Sequence, residues 1–270
     1  MNAKWSLVLL IALFLTFCSI ASADDFYYLT AGDNGTMTIV NLNTQAWFQT
    51  PLTGNEYAIA AFPGSGEVTV GAYQNNGAFY DPAGNFVHSV NNANTIAGSQ
   101  WLDGTTDLAH NYTVDFGNGN VYRTDLNFNN ATVLFTPGSA FQLTGITYDF
   151  ANGNLWVADR YGNPGTITEY TLSGTPLFSF GTGITFISAL AYEASNNTLW
   201  VTTTFGCDGG SETCLFQYDT NGVLLQTFDI PVSDNIIGGE IPTIPEPGTL
   251  LLMGSGLLGL LGVARRRMSL

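Results

Sequence analysis

The chain of 270 residues is long enough for one large domain or two small ones, and 45% of its residues are apolar, which supplies a substantial core. Only 10% are charged, and the formal net charge is −15. Between residues 24 and 243, 20 acidic residues stand against Arg123 and Arg160, which gives this region a net charge of −18. Such a surface repels phosphate backbones, so we expect no nucleic acid partner.

The first 23 residues have the three parts of a secretory signal peptide. Lys4 gives a positive start, an apolar run extends from Leu7 to Phe17, and the small residues Ala21 and Ala23 stand where signal peptidase requires them. The pattern predicts a signal helix that is removed by cleavage before Asp24. A retained membrane anchor is the alternative, but the apolar run is short for one.

The C-terminus has a different apolar segment, which comes after a proline-rich triplet. After Pro245, Glu246 and Pro247 comes an apolar run from Leu250 to Ala264, and then a cluster of Arg265, Arg266 and Arg267. As a helix, residues 249–264 would span roughly 24 Å, which is less than the ~30 Å hydrocarbon core, but arginines can snorkel and the bilayer can thin. The sequence predicts a C-terminal transmembrane helix with its arginines in the cytoplasm and the acidic region outside.

This tail resembles the sorting signal of the PEP-CTERM family in its Pro-Glu-Pro triplet, its glycine-spaced leucine-rich helix and its terminal arginines. The resemblance implies recognition by exosortase, a membrane-embedded cysteine protease of Gram-negative bacteria. It also implies an anchored precursor that is released or transferred to the cell surface, often in bacteria that make exopolysaccharide. An ordinary C-terminal anchor is the alternative. The predicted divisions are a signal peptide (1–23), a central domain (24–243) and a sorting tail (244–270).

The predicted mature chain keeps two cysteines. Cys18 lies within the signal peptide, and the bulky Phe17 before it disfavours lipoprotein processing. Cys207 and Cys214 bracket a short loop, which in an oxidising compartment indicates a disulfide across the mouth of a hairpin. A metal site with two thiolates is the alternative, but neither histidine of the chain is near in sequence.

The central domain consists of short β-rich runs separated by Asn, Gly and Asp turns, without a long stretch at the helical period. The run Leu155-Trp156-Val157 recurs 44 residues later as Leu199-Trp200-Val201. Fainter copies upstream complete a set of equivalent positions in steps of 40, 44, 46 and 48 residues: Val40, Tyr80, Thr124, Tyr170 and Tyr218. A period in the forties with three or four strands is typical of a β-propeller blade.

The predicted fold is therefore an all-β propeller of about 44-residue repeats, flanked by the signal helix and the transmembrane helix. The 220 positions from 24 to 243 favour five blades over six or seven. The first repeat begins at Phe26–Leu29, which matches the Leu-Trp-Val strand, so it lacks an innermost strand. The segment Ile236–Ile241 is expected to supply that strand and close the ring, because an open array would leave exposed strand edges. The likeness to other propeller repeats concerns architecture and indicates no function.

Two interpretations exist for Trp156 and Trp200: stacking on sugar faces, or packing between blades, which their equivalent positions favour. The same packing is expected of four tyrosines, namely Tyr148, Tyr170, Tyr192 and Tyr218.

Four acids come directly after predicted strands, namely Asp149, Asp159, Glu193 and Asp219. Near a propeller axis such acids bind calcium or act as paired carboxylates in hydrolysis or lyase chemistry, although Asp219 also fits a turn. Segments 103–107 and 208–212 are candidate calcium loops without the acid spacing of an EF-hand, and no other cofactor is expected.

Catalytic motifs are scarce. The chain has no Gly-x-Ser-x-Gly elbow and no nucleotide-binding loop, and His88 and His110, the two available bases, lie beside Asn-rich turns. We therefore expect a non-enzymatic structural or binding module of the extracellular matrix. The alternatives are an enzyme that acts on extracellular polysaccharide through acids such as Asp149 and Asp159, and a scaffold that binds another envelope protein.

Overall fold

The computed structural model describes residues 26–62, 68–72, 77–90, 99–138, 142–160, 165–203, 207, 210, 212–233 and 235–242, without the side chains of 68–72. The predicted signal peptide, with Ala21, Ala23 and Asp24, lies outside the described residues. So does the predicted sorting tail, with Pro245, Glu246, Pro247 and the three terminal arginines.

The described residues form five four-stranded antiparallel sheets and one short 3-10 helix, Gly32–Asn34. Sheet 1 holds β1 (Phe26–Ala31), β2 (Thr36–Asn41), β3 (Trp47–Pro51) and β20 (Gly238–Glu240). Sheet 2 holds β4 (Glu56–Ala61), β5 (Val68–Ala72), β6 (Gly77–Tyr80) and β7 (Phe86–Val90). Sheet 3 holds β8 (Trp101–Thr106), β9 (Asn111–Asp115), β10 (Val121–Thr124) and β11 (Thr132–Phe135). Sheet 4 holds β12 (Leu143–Asp149), β13 (Asn154–Asp159), β14 (Thr166–Tyr170) and β15 (Pro176–Gly181). Sheet 5 holds β16 (Ile187–Glu193), β17 (Thr198–Thr203), β18 (Thr213–Asp219) and β19 (Leu224–Ile230).

The innermost strands surround a common axis. Strands β20, β4, β8, β12 and β16 contact one another in cyclic order. The backbone N–H of Ile146 bonds to Asp103 and that of Tyr148 to Thr105, so these neighbouring inner strands run in the same direction along the axis. This arrangement is a β-propeller, and the all-β propeller prediction is confirmed.

The C-terminal strand completes the first sheet, as the sequence predicts. Strand β20 pairs with β1 through Tyr28 opposite Glu240 and Thr30 opposite Gly238. The first sheet therefore combines both ends of the described chain, and the expected ring closure by the segment Ile236–Ile241 is confirmed.

The repeat positions share one structural place. Each of the five is at or next to the end of the third strand of its sheet, just before the turn into the outermost strand. In three of these turns an aspartate comes next and accepts backbone N–H bonds from its own turn, namely Asp81, Asp125 and Asp219. Such aspartates close a turn with their own side chain, so the same turn chemistry recurs in these three sheets.

These turns also connect neighbouring sheets. Gly222 has φ +85°, and a Cβ there would lie 2.6 Å from Cγ of Phe180 on β15 of the preceding sheet. Glycine is therefore required both for the left-handed backbone and for the close approach of the two sheets.

The core lies between the sheets. Trp156 and Trp200 are both 1% exposed, which confirms packing rather than exposed sugar stacking. Tyr192 and Tyr218 are buried in the same cluster as Trp156, while Tyr148 and Tyr170 are half-buried against the neighbouring cluster.

Candidate functional site

The propeller axis is narrow because the inner strands carry glycine where they approach each other. A Cβ on Gly145 of β12 would lie 2.8 Å from Cβ of Leu190 on β16, and one on Gly238 of β20 would overlap the carbonyl oxygen of Tyr57 on β4. Backbone amides of several sheets thus come within reach of a single side chain at the axis.

That side chain is Asp103 of β8, which is 0% exposed. Its Oδ1 accepts N–H bonds from Gly239 (2.8 Å) and Gly104 (3.0 Å). Its Oδ2 accepts N–H bonds from Ile146 (3.0 Å) and Leu190 (3.1 Å). One carboxyl group therefore links sheet 3 to sheets 1, 4 and 5.

A second acid, Glu240 of the ring-closing strand, lies near it and is 3% exposed. Its Oε1 accepts bonds from the Ile241 N–H (3.1 Å) and the Thr147 hydroxyl (3.4 Å), while its buried Oε2 has no partner. The Thr147 hydroxyl in turn accepts the N–H of Tyr192. The axis thus holds a polar cluster in which one of the two carboxyl oxygens of Glu240 accepts hydrogen bonds and the other does not.

The two acids differ in the protonation state that their surroundings favour. Burial raises the pKa of the Asp103 carboxyl group well above its ordinary value, although its four N–H donors act against this effect. Because each oxygen already accepts two donors, the geometry accommodates the ionised form of Asp103. Burial also raises the pKa of Glu240 well above its ordinary value, and the neighbouring Asp103 charge raises it further, against the lowering effect of Thr105, Thr147 and the Ile241 N–H. This environment favours a neutral Glu240.

This pair resembles a catalytic dyad only in composition. Both carboxyl groups are buried, and every oxygen of Asp103 is occupied by backbone amides, so neither group has the access to substrate that hydrolysis needs. The arrangement acts on the protein itself, because it fixes inner strands of different sheets to one another.

The four acids predicted at strand ends do not belong to this axial cluster. Three of them accept hydrogen bonds from residues close to them in sequence. Asp149 is 0% exposed, and its Oδ1 accepts the N–H groups of Ala151 and Asn152 in the turn after β12. Glu193 accepts the indole N–H of Trp200 at 2.7 Å. Asp219 caps its turn, and Asp159 is half-buried at the end of β13. The enzyme alternative needs Asp149 at the central channel, but its side chain closes a turn.

The candidate calcium segment 103–107 is not a loop. Residues up to Thr106 belong to β8, and Asp107 accepts N–H bonds from Ala109 and His110 and the hydroxyl of Tyr112. Of the segment 208–212, residues 208, 209 and 211 lie outside the described residues.

The two histidines do not form a site together. His88 lies in the outer strand β7 and not in a turn, and its ring stacks on that of Phe79 with the centroids 4.6 Å apart. His110 does lie at a turn, and its Nδ1 is 3.6 Å from Asp107.

The predicted disulfide between Cys207 and Cys214 is confirmed, with a Cα–Cα distance of 5.0 Å. Asp229 accepts the N–H of Cys207 at 2.8 Å. These three residues are the one group within the described part of the chain whose ligand atoms are close enough for a metal ion. Because the two sulfurs are bonded to each other, the alternative with two thiolate ligands does not fit.

The exposed apolar surface is a feature that the repeat analysis missed. Nine exposed large apolar residues occupy the first three positions of the outermost strands: Trp47, Phe48, Phe86, Val87, Val133, Leu177, Phe178, Leu224 and Leu225. Three more, Leu108, Leu126 and Val223, lie in turns at the same end of the propeller. We call these twelve residues the apolar rim. A signal was present in the sequence, since apolar residues adjoin each other where these strands begin.

Residues 243–267 match the family model described as the PEP-CTERM protein-sorting motif. The resemblance of the tail is thus confirmed, and this motif implies an exported precursor that is processed by exosortase. No helix within the described residues is both long and apolar enough to cross a membrane. None of the curated proteins matches the chain.

Solved structures share the fold at low identity. A structure titled as a nidogen/laminin complex has 12% identity and a TM-score of 0.56, over 81% of this chain and 98% of that one. A protein of unknown function from Bacteroides caccae has 11% identity and a TM-score of 0.55, over 82% of this chain and 100% of that one. These likenesses concern the fold alone.

The two axial acids predict opposite effects of the same isosteric change. In Asp103→Asn the amide nitrogen faces two N–H donors, so we expect a loss of about 3 kcal/mol or more in the free energy of unfolding. Glu240→Gln replaces a neutral carboxyl group with a neutral amide, so we expect a change of less than about 1 kcal/mol at pH 5.

Urea unfolding at pH 5 and pH 8 checks both variants. Because the pKa of Glu240 is raised on folding, its protonated form stabilises the fold at low pH, and this stability is lost as the pH rises towards the folded pKa. Glu240→Gln should therefore gain stability relative to the wild type between pH 5 and pH 8. Equal losses in both variants would contradict the assignment.

Proposed function

We propose that the chain is an exported, exosortase-processed propeller that acts at the cell surface or in the exopolysaccharide matrix as a non-enzymatic structural or binding module. In this proposal the five sheets are the five blades of a closed ring. Signal peptidase and exosortase are the partners during export, and exopolysaccharide or an envelope protein is the partner afterwards. The proposal includes no nucleic acid, and no cofactor.

The observation that carries the proposal is the burial of the axial acids. A propeller enzyme would present convergent carboxylates at a channel mouth, whereas Asp103 and Glu240 are 0% and 3% exposed. The acids of the enzyme alternative do not converge either, since Asp149 closes a turn. The apolar rim instead supports a role in binding through the outer surface.

Binding to polysaccharide is tested on the processed protein with and without calcium. We expect saturable retention on exopolysaccharide, without shortening of the polymer and without a requirement for calcium. A shortened polymer would favour the enzyme alternative, and its loss in Asp159→Asn but not in Asp149→Asn would locate the activity. Absence of binding to all polysaccharides would remove the sugar partner in favour of an envelope protein.

Processing is tested on the full chain in a host that supplies exosortase. Wild-type protein should begin at Asp24 and lack most of the residues after Pro247. Pro245→Ala and Glu246→Gln should keep the tail and stay in the membrane fraction, while Thr249→Ser, outside the triplet, should be trimmed normally. Intact mass measures all of them, and unchanged trimming of the two triplet variants would contradict the role of the motif.

A further inference from the structure

The apolar rim and both ends of the described domain lie at the same end of the propeller. The outermost strands begin there, after the turns that leave the third strands. Strand β1 also begins there at Phe26, and β20 ends there, just before Ile241 and Pro242. The chain therefore leaves the domain beside its most apolar surface.

The next segment of the chain keeps this end close to lipid. Seven residues separate Pro242 from Leu250, where the apolar run of the sorting tail begins. Even fully extended they span at most about 25 Å. In a precursor anchored by its tail, the end that carries the rim therefore stays within about 25 Å of the apolar segment of the tail.

The composition of the rim suits the interface of a bilayer. Trp47 is 37% exposed and lies beside Phe48, which is 44% exposed. Aromatic rings of this kind are enriched at the headgroup level of membranes. A second copy of the domain is a less suitable occupant, because each copy carries a net charge of −18 between residues 24 and 243.

The charges near the rim indicate which lipid it would tolerate. Asp81 and Asp219 cap turns at this end, and hydrogen bonds from Asn85 and Val223 respectively are the main cause that lowers the pKa of each carboxyl group. Both are therefore ionised at neutral pH, and they oppose contact with anionic headgroups.

We propose that the apolar rim docks on zwitterionic phospholipid while the precursor is anchored, so that the propeller lies on the membrane with its axis roughly along the bilayer normal. This inference rests on the proposed function, because it requires the tail to hold the precursor in the membrane. Docking would place the Pro-Glu-Pro segment beside the bilayer that contains its protease.

Trp47 reports on the docking directly. Trp101, Trp156 and Trp200 are at most 1% exposed, and Trp5 belongs to the predicted signal peptide, so Trp47 is the exposed indole among the tryptophans that the structure describes. The full precursor is reconstituted in phosphatidylcholine vesicles with and without brominated acyl chains. The difference between wild type and Trp47→Phe isolates the Trp47 emission.

We expect brominated lipid to quench most of the Trp47 emission, and aqueous acrylamide to quench it several-fold less than in detergent. Phe48→Ser with Phe86→Ser should abolish the quenching by lipid, whereas Gln49→Ser on the same strand should keep it. Vesicles rich in phosphatidylglycerol should quench less at low salt and recover as the salt concentration rises.

Flotation of the same vesicles distinguishes failure of the membrane anchor from failure of the docking. A precursor that does not float would overturn the anchoring and hence the proposed function. A precursor that floats while Trp47 stays open to acrylamide would overturn the docking alone. Trp47 shielded from both quenchers in a particle with the mass of a dimer would assign the rim to a second copy instead.

Discussion

The structure depends on how closely the inner strands approach one another at the axis. Gly145 and Gly238 allow this approach, and the Asp103 carboxyl group then accepts N–H bonds from three other sheets in addition to that of its own neighbour Gly104. Strands at the centre of a propeller have no ladder partner on the axis side, so their inward amides need another acceptor. The Asp103 carboxyl group accepts hydrogen bonds from four of these amides, and the ring of inner strands closes around it.

The same constraint explains where binding can occur. Because both axial acids are buried, neither is accessible to a ligand, and the exposed large apolar residues of the described domain lie on its outer surface instead. That surface is uneven, because the twelve residues of the apolar rim lie where the outermost strands begin and where the chain enters and leaves. Edge strands in soluble proteins are commonly protected by lysine, but the only lysine of this chain is Lys4. A surface of this kind is consistent with a protein that works against a membrane or within a matrix.

Much of the fold was predictable because its determinants are local. Strand, turn and spacing recur within each repeat, so Tyr80, Tyr170 and Tyr218 were aligned correctly without any structure. The turn role of Asp149 could also have been found, since Asp115 closes a similar Asp-x-x-Asn-Gly turn with the same bonds. The role of Asp103 could not, because its partners lie 43, 87 and 136 residues away. The apolar rim could not be predicted, because its recognition requires knowing which strand of each sheet is outermost.

Hydrogen exchange at three backbone amides is the most direct test of the central claim. The N–H groups of Ile146, Leu190 and Gly239 all donate to Asp103, and all three residues are buried. If the carboxyl group holds the sheets together, the three protons should exchange at one common rate, that of global unfolding. Exchange of any of them at the faster rate of local opening, independent of the other two, would show that the axis is not held by Asp103.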